Sequence, residues 1–266
     1  MTDDLDRLAA ELLDSKKYRD MHLSPATVRD LLAQELPRHR SRKDALDEVR
    51  HKLHNIVAPY LGDPNYAAAA QDLTAAAESG DLREVCLRIL ATHASTRERI
   101  PIMEEFYARI FAVTGQPKVV LDLACALNPF AFPWMGLPAG TRYYAYDIHA
   151  PRLALINHFF GLAGLEPLAV QQDILVDPPQ VEADAAFFFK EAHRFEQRQR
   201  GSSRKMLSAI RARWLLVSLP TASLNGRHNL LERQRALVAG ITAGQAWDVQ
   251  ELLFENEVVF CIRTGA

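Results

Sequence analysis

The residues best suited to chemistry lie in and after one apolar run. Val119-Val120-Leu121-Asp122-Leu123 leads into three small residues, Ala124-Cys125-Ala126, and then into Leu127-Asn128-Pro129-Phe130. A second apolar run, Tyr143-Tyr144-Ala145-Tyr146, closes on Asp147-Ile148. Small residues after a strand let a ligand approach the backbone closely, and an acid at the tip of the next strand can accept hydrogen bonds from a ribose diol. No G-x-G-x-x-G is present, and no helix start is arranged as a pyrophosphate cradle. A cofactor with a ribose and no phosphate suits that pattern, which points to S-adenosylmethionine and away from a nicotinamide dinucleotide. The alternative role for Asp147 is to cap the helix that Pro151 opens, and Asp122 has the same alternative as a strand-end cap.

Nothing in the chain reads as a nucleophile or a metal centre. Ser218-Leu219-Pro220-Thr221 is not a nucleophile elbow. The histidines lack zinc spacing, and Cys86, Cys125 and Cys261 are widely separated and odd in number, as suits a reducing compartment. Methyl transfer to a ring nitrogen fits this lack. Where that nitrogen carries a lone pair and no proton, positioning and the exclusion of water suffice.

Two kinds of element must hold these residues. Up to about Thr114 the pattern is helical. Val28, Leu31, Leu32 and Leu36 recur at helical spacing, as do Leu46, Val49, Leu53, Ile56, Val57 and Tyr60. Ser24-Pro25 reads as a helix start, Ser41 with Asp44 as a capping box with a shortened acid, and Ser95-Thr96 as the start of a helix running through Phe106 to Phe111. From residue 115 onward strands alternate with helices. Strands are predicted at Val119–Leu123, Tyr143–Asp147, Leu168–Gln172, Ala185–Phe189, Trp214–Ser218, Trp247–Phe254 and Glu257–Ile262. Helices are predicted near Pro151–Gly161, Phe195–Ala209 and Leu230–Ala239. The last two strands are close enough in sequence to form a hairpin. The predicted fold is therefore α/β: a Rossmann-like, mostly parallel seven-stranded sheet with a C-terminal antiparallel hairpin, as in class I methyltransferases. A helical domain over 1–114 precedes the sheet domain over 115–266.

Composition is that of an ordinary globular protein, with 48% hydrophobic and 24% charged residues in 266. A formal net charge of −2 means that any nucleic-acid contact must use a local basic face. Lys16, Lys17, Arg19, Arg29, Arg38, Arg40, Arg42, Lys43, Arg50 and Lys52 supply one in the first part of the chain, diluted by Asp20, Asp30, Glu35, Asp44, Asp47 and Glu48. A solvated helical face is the alternative reading of that run. The start Met1-Thr2-Asp3-Asp4 lacks the features of a signal peptide, and no apolar run is long enough to span a bilayer, so a cytoplasmic protein is expected.

Several segments taken together carry a resemblance. They include Ser15-Lys16-Lys17-Tyr18, Glu48-Val49-Arg50-His51-Lys52-Leu53-His54, His93-Ala94-Ser95-Thr96-Arg97-Glu98-Arg99, Cys125-Ala126-Leu127-Asn128-Pro129-Phe130, Gln172-Asp173-Ile174-Leu175, Phe189-Lys190 and Ser218-Leu219-Pro220-Thr221. With them the chain resembles the Arm/Rmt family of 16S rRNA guanine-N7 methyltransferases, which confer aminoglycoside resistance. The resemblance implies S-adenosylmethionine as cofactor and 16S rRNA within the 30S subunit as substrate, with the decoding-site guanine 1405 as target. A monomer without metal is expected. It further implies His93, Arg97, Ala124, Cys125, Ala126, Asn128, Asp147, Ile148, Gln172, Asp173 and Ile174 around the cofactor, with Arg97 on its carboxylate and Asp173 near its adenine. Asp173 and Lys190 are implied at the target base, where Phe130, Trp134 and Phe189 are stacking candidates. Lys16, Lys17, Arg50, Lys52 and Arg227 are implied on RNA.

Two segments depart from the family pattern. After Phe189-Lys190 the family is rich in leucine, whereas this chain has Glu191-Ala192-His193-Arg194-Phe195. After Arg227 it continues His228-Asn229-Leu230-Leu231-Glu232-Arg233-Gln234-Arg235. Both follow strands at the end where substrates sit in open α/β sheets. The alternatives are therefore a family member with an altered RNA target and a cofactor-binding, ribosome-associated protein without transfer activity.

Overall fold

The structure, a computed structural model, describes residues 2–58, 62–222 and 229–265. Three helices come first: α1 (Thr2–Leu13), α2 (Pro25–Glu35) and α3 (Arg42–Val57). Pro25 enters α2 in its first turn, where a missing N–H leaves no bond unmade. Ser41 caps α3, its hydroxyl accepting from the Asp44 N–H at 3.1 Å. These helices close a core of their own, with Leu8, Leu12, Val28, Leu31, Val49, Leu53 and Val57 all buried.

The next helices belong to a different core. Leu73 of α4 (Tyr66–Ser79), Cys86 and Ile89 of α5 (Leu82–Leu90), and Phe106 and Ile110 of α7 (Met103–Thr114) pack with Val120, Tyr143 and Phe187 of the sheet. A boundary after Val57, where the cores divide, is the one we propose in place of residue 114. The helix expected from Ser95 onward comes in two pieces, because Pro101 forces a 3-10 turn between the short α6 (Ala94–Arg97) and α7.

The remainder alternates: β1 (Val119–Leu123), α8 (Phe132–Met135), β2 (Arg142–Asp147), α9 (Ala150–Leu162), β3 (Ala169–Gln171), β4 (Ala183–Phe189), α10 (Ala192–Arg198), α11 (Ser202–Ala209), β5 (Ala212–Pro220), α12 (Leu231–Thr242), β6 (Asp248–Leu253) and β7 (Glu257–Arg263). The strands form one sheet in the order β3-β2-β1-β4-β5-β7-β6. β7 runs antiparallel to both its neighbours, and the other pairings are parallel. Every predicted strand is present, β1 with the predicted ends and the others with one or both ends shifted. The single helix expected over Phe195–Ala209 is instead broken at Gly201, whose φ of 81° no helix accommodates.

This topology positions the site. Strand order reverses at β1, so the C-terminal ends of β1 and β4 diverge and leave a crevice. The helical unit is tied to the edge of that crevice. The Ser24 N–H donates to the Ile148 carbonyl at 3.0 Å, and the Gln171 side-chain amide donates to the His22 carbonyl at 2.7 Å.

Candidate functional site

The turn after β1 has an unusual backbone. Ala124 and Ala126 have φ of 53° and 47°, a region glycine enters freely and an L-residue enters at a cost of about 1–2 kcal/mol. Cys125 between them turns into the core and is 2% exposed. The Cys125 N–H donates to the Tyr146 carbonyl at 2.9 Å, which folds the turn against the tip of β2. There Asp147 gathers donors. One carboxylate oxygen accepts from the Ile148 N–H at 2.7 Å and the His149 N–H at 3.1 Å. The other accepts from the Ala126 N–H at 3.2 Å and from Arg152 Nη1 at 3.0 Å. Asp147 thus binds the backbone just before α9, whose cap residue is His149, and also stands on the wall of a cavity.

That cavity has a volume of about 560 Å³. His93, Ala124, Ala126, Asp147, Ile148, Gln172, Asp173 and Ile174 line it, as expected from the sequence, and so do Lys52, Arg152, Glu191, His193, Phe195 and Arg198. Pairing of Asp147 with Gln171 in the sheet brings the tips of β2 and β3 side by side, and with them Asp147 and Asp173. A second cavity of about 1020 Å³ adjoins the first and holds Arg97, Glu98, Lys190 and Arg233. His93, Glu191, His193, Arg194 and Gln197 line both. The first cavity suits a nucleoside-type ligand: its volume is within the ~300–1000 Å³ usual for such sites, and a turn of small residues and two acids from adjacent strand tips meet at its wall.

Each of those acids is held by an arginine that also reaches the chain before residue 64. Arg152, 1% exposed, binds Asp147 and makes two bonds to Asp63, at 2.9 and 2.7 Å. Tyr66 donates its hydroxyl to the same Asp63. Arg198 binds Asp173 at 2.7 Å and Asp30 of α2 at 2.5 Å. Neither arginine was singled out from the sequence. Each is one basic residue among many, and only the fold reveals its partners. Burial, with Arg152 close by, pushes His93 down to about 4, so its ring is neutral near neutral pH.

Several expected residues lie elsewhere. Asn128 is behind the cavity, accepting from Arg99 Nη1 and the Tyr107 hydroxyl, both at 2.8 Å, and donating to Asp122 at 2.9 Å. Cys125 likewise does not line it. Arg97 is exposed and faces the second cavity, and His93, not Ser95, occupies the cap position of α6. Asp173 and Lys190 line different cavities. Lys190, at φ 60° and 6% exposed, binds Glu98 at 2.8 Å and approaches Glu257 at 3.4 Å. Phe130 and Phe189 are core residues, and Trp134 stacks under Arg83; among the described residues the phenyl ring at the first cavity is that of Phe195. Among the RNA candidates Lys16, Lys17 and Arg50 are exposed. Lys52 is not on their face. Two positions from Arg50 on a helix, it turns inward to Glu35 at 2.8 Å and reaches the first cavity. Tyr60, Arg227 and His228 lie outside the described residues.

Burial pushes Asp122 up to about 7, against the hydrogen bonds from Asn128 and Tyr143. A carboxyl whose pKa is raised on folding stabilises most below its unfolded value and loses that contribution as pH rises through the folded one. Asp122→Asn is therefore expected to gain stability relative to the parent chain between pH 4 and 7, with no further gain above. Denaturant unfolding at pH 5 and pH 8 checks it; a difference unchanged between them would contradict the assignment.

Comparison with known proteins agrees with this geometry. The sequence model of FmrO, a ribosomal RNA methyltransferase, matches residues 14–261. A Frankia casuarinae protein named 16S rRNA (guanine(1405)-N(7))-methyltransferase is 32% identical over 97% of this chain and 93% of its own. A Serratia marcescens protein of the same name is 35% identical over 85% of this chain and 84% of its own. Among solved structures, the 16S rRNA methylase RmtB superposes with a TM-score of 0.78 at 28% identity over 98% of both chains. The 16S rRNA methyltransferase RmtF, solved with S-adenosyl-L-homocysteine, gives 0.77 at 30% identity over 98% of both. The class I methyltransferase fold expected from the alternation of strands and helices and the closing hairpin is the fold found. No helix among the described residues is long and apolar enough to cross a membrane. The chain belongs to the FmrO family of ribosomal RNA methyltransferases.

Proposed function

We propose that this protein uses S-adenosylmethionine to methylate N7 of guanine 1405 in 16S rRNA. It acts as a monomer on the 30S subunit in the cytoplasm and confers aminoglycoside resistance. The observation that carries this reading is similarity over nearly the whole chain to relatives that share that activity in their names. The cavity under the Ala124–Ala126 turn, walled by Asp147 and Asp173, is of the kind such a cofactor needs.

The residues divide the work by position. Ala124 and Ala126 allow close approach, Asp147 and Asp173 face the ribose and adenine, and Ile148 and Ile174 supply apolar walls. When bound, the cofactor supplies a sulfonium methyl: the N7 lone pair forms the new bond, the C–S pair stays on sulfur, positive charge moves to the purine, and no proton leaves. The protein then has only to align N7 and exclude water. The second cavity, lined by Arg97, Lys190, Arg194 and Arg233, is the entry for an anionic RNA strand. Exposed Lys16, Lys17 and Arg50 contact its backbone, a contact that weakens as salt rises.

Transfer of labelled methyl to 30S subunits, with free 16S rRNA and protein as controls, tests this reading. N7-methylguanosine in digested 30S rRNA is expected; cofactor binding with no labelled rRNA would overturn it.

Lys190 has a test of its own. Lys190→Ala removes the ammonium and keeps a side chain at positive φ, whereas Lys190→Gly removes both. The glycine variant is expected to be more stable than the alanine variant by about 1 kcal/mol. Neither is expected to transfer methyl, and both should bind cofactor. Recovery of transfer in Lys190→Gly would show that the ammonium is not needed.

A further inference from the structure

Glu191 and His193 lie in the segment that departs from the family pattern, and both line the two cavities at their junction. Neither side chain is satisfied by the fold. The Glu191 carboxylate has no hydrogen-bond donor among the described residues; its ion-pair partner, Arg194 Nε, stands at 3.8 Å, and the side chain is only 20% exposed. The Nδ1 of His193 is buried with no hydrogen-bond partner among the described residues. An unpaired polar atom out of water costs about 1–3 kcal/mol. The His193 nitrogen is such an atom, and together with the partly exposed Glu191 carboxylate, which also lines both cavities, it marks a place prepared for a polar ligand.

We propose that Glu191 and His193 read the Watson–Crick edge of the target guanine, Glu191 accepting from N1–H and N2–H and His193 donating to O6. The inference rests on the methyltransferase reading above. Guanine alone among the RNA bases sets two donors next to one another on that edge, and a carboxylate accepts both. Adenine sets one donor beside one acceptor, cytosine one donor beside two acceptors, and uracil has one donor between two acceptors. Contact with the Watson–Crick edge leaves N7, on the Hoogsteen edge, free for the methyl group. A base entering the junction must leave its stack, as nucleobases do in enzymes that modify them.

Glu191 also does something for the transition state. Methylation places positive charge on the purine and makes N1–H a stronger donor. A carboxylate on that proton is therefore bound more tightly in the transition state than in the ground state, which is the condition for catalysis. Burial pushes Glu191 up to about 7, so an incoming donor is what favours its ionised form. Burial pushes His193 down to about 4, which leaves the neutral ring with one N–H to give.

The test uses 30S subunits reconstituted with 16S rRNA that carries either guanosine or inosine at the target position. Inosine lacks only the N2 amine. For the parent chain, kcat/KM is expected to fall on the order of tenfold to a hundredfold from guanosine to inosine, the range for one lost base-edge contact. Glu191→Gln should lose activity on guanosine and bring the guanosine-to-inosine ratio near one. Its affinity for S-adenosylhomocysteine, measured by calorimetry, should be unchanged. A variant that keeps the parent ratio overturns the proposal. So does one that loses affinity for S-adenosylhomocysteine with the ratio intact, because the carboxylate would then serve the ammonium of the cofactor. Should Glu191→Gln fail to fold, the parent ratio decides alone, and a value near one overturns the proposal. If the parent chain methylates neither subunit, the proposed function itself falls and this inference with it.

Discussion

Arg152→Ala is expected to destabilise the protein by about 3–5 kcal/mol, the range for removing one partner of a buried ion pair. Arg152 is 1% exposed and holds two carboxylates, Asp63 and Asp147, whose side chains are 3% and 5% exposed. Without it both acids stay in a low-dielectric site with one cation fewer, and Asp63 keeps Tyr66 as its hydroxyl donor. The loss is not confined to stability. Arg152 fixes Asp147 at the cavity wall, so affinity for S-adenosylhomocysteine should fall as well. Arg198→Ala is the informative comparison. It breaks an analogous bridge, but Asp30 is 27% exposed and can be rehydrated, so a smaller loss is expected. Denaturant unfolding of the two variants measures both. A loss below about 1 kcal/mol for Arg152→Ala, the range of an exposed pair, would show that the bridge does not hold the site together.

Ala126→Val should abolish useful cofactor binding, with affinity for S-adenosylhomocysteine down on the order of a hundredfold, or about 2.7 kcal/mol. Two effects act together. A β-branched side chain at φ 47° is a strong outlier, and its added methyl groups enter the cavity that Ala126 lines. Ala126→Gly separates the two effects, because it relieves the backbone and leaves the cavity open. Glycine also gains freedom in the unfolded chain, which offsets part of that relief. Its stability should therefore change by less than about 1 kcal/mol and its cofactor binding should persist. Calorimetry on both variants gives the answer. Parent-like affinity in Ala126→Val would place the cofactor away from this turn.

The parts of this site that were legible in the sequence share one property: they are local. Asp147 closes an apolar run, and Asp173 directly follows the predicted strand Leu168–Gln172, so their place at strand tips agrees with the alternation of strand and loop. The small turn Ala124–Ala126 follows from β1 in the same way. Ser41 with Asp44 announces the start of α3 within four residues. The illegible parts depend on tertiary neighbours. Arg152 follows Pro151 in an ordinary helix start, and nothing near it tells of Asp63. Arg198 stands in a run with Arg194 and Arg200 that reads as a solvated face. Lys52 has the composition of an RNA contact, yet a helical turn of about 100° per residue puts it opposite Arg50 and onto Glu35. Asn128 lies within the motif that forms the turn after β1, but its side chain serves Arg99, Tyr107 and Asp122 behind it. The division after Val57 was hidden because α4, α5 and α7 carry the same helical periodicity as α1 to α3 while packing against the sheet.

Methylation of guanine N7 weakens its glycosidic bond, so the modified site can be read directly on the RNA. The decisive measurement is to incubate 30S subunits with the protein and S-adenosylmethionine, treat the extracted 16S rRNA with borohydride and aniline, and map breaks by primer extension. Cleavage at guanine 1405 that requires both protein and cofactor is the predicted result. Methylated 16S rRNA that resists this cleavage, with mass spectrometry placing the methyl on another atom or base, would contradict it.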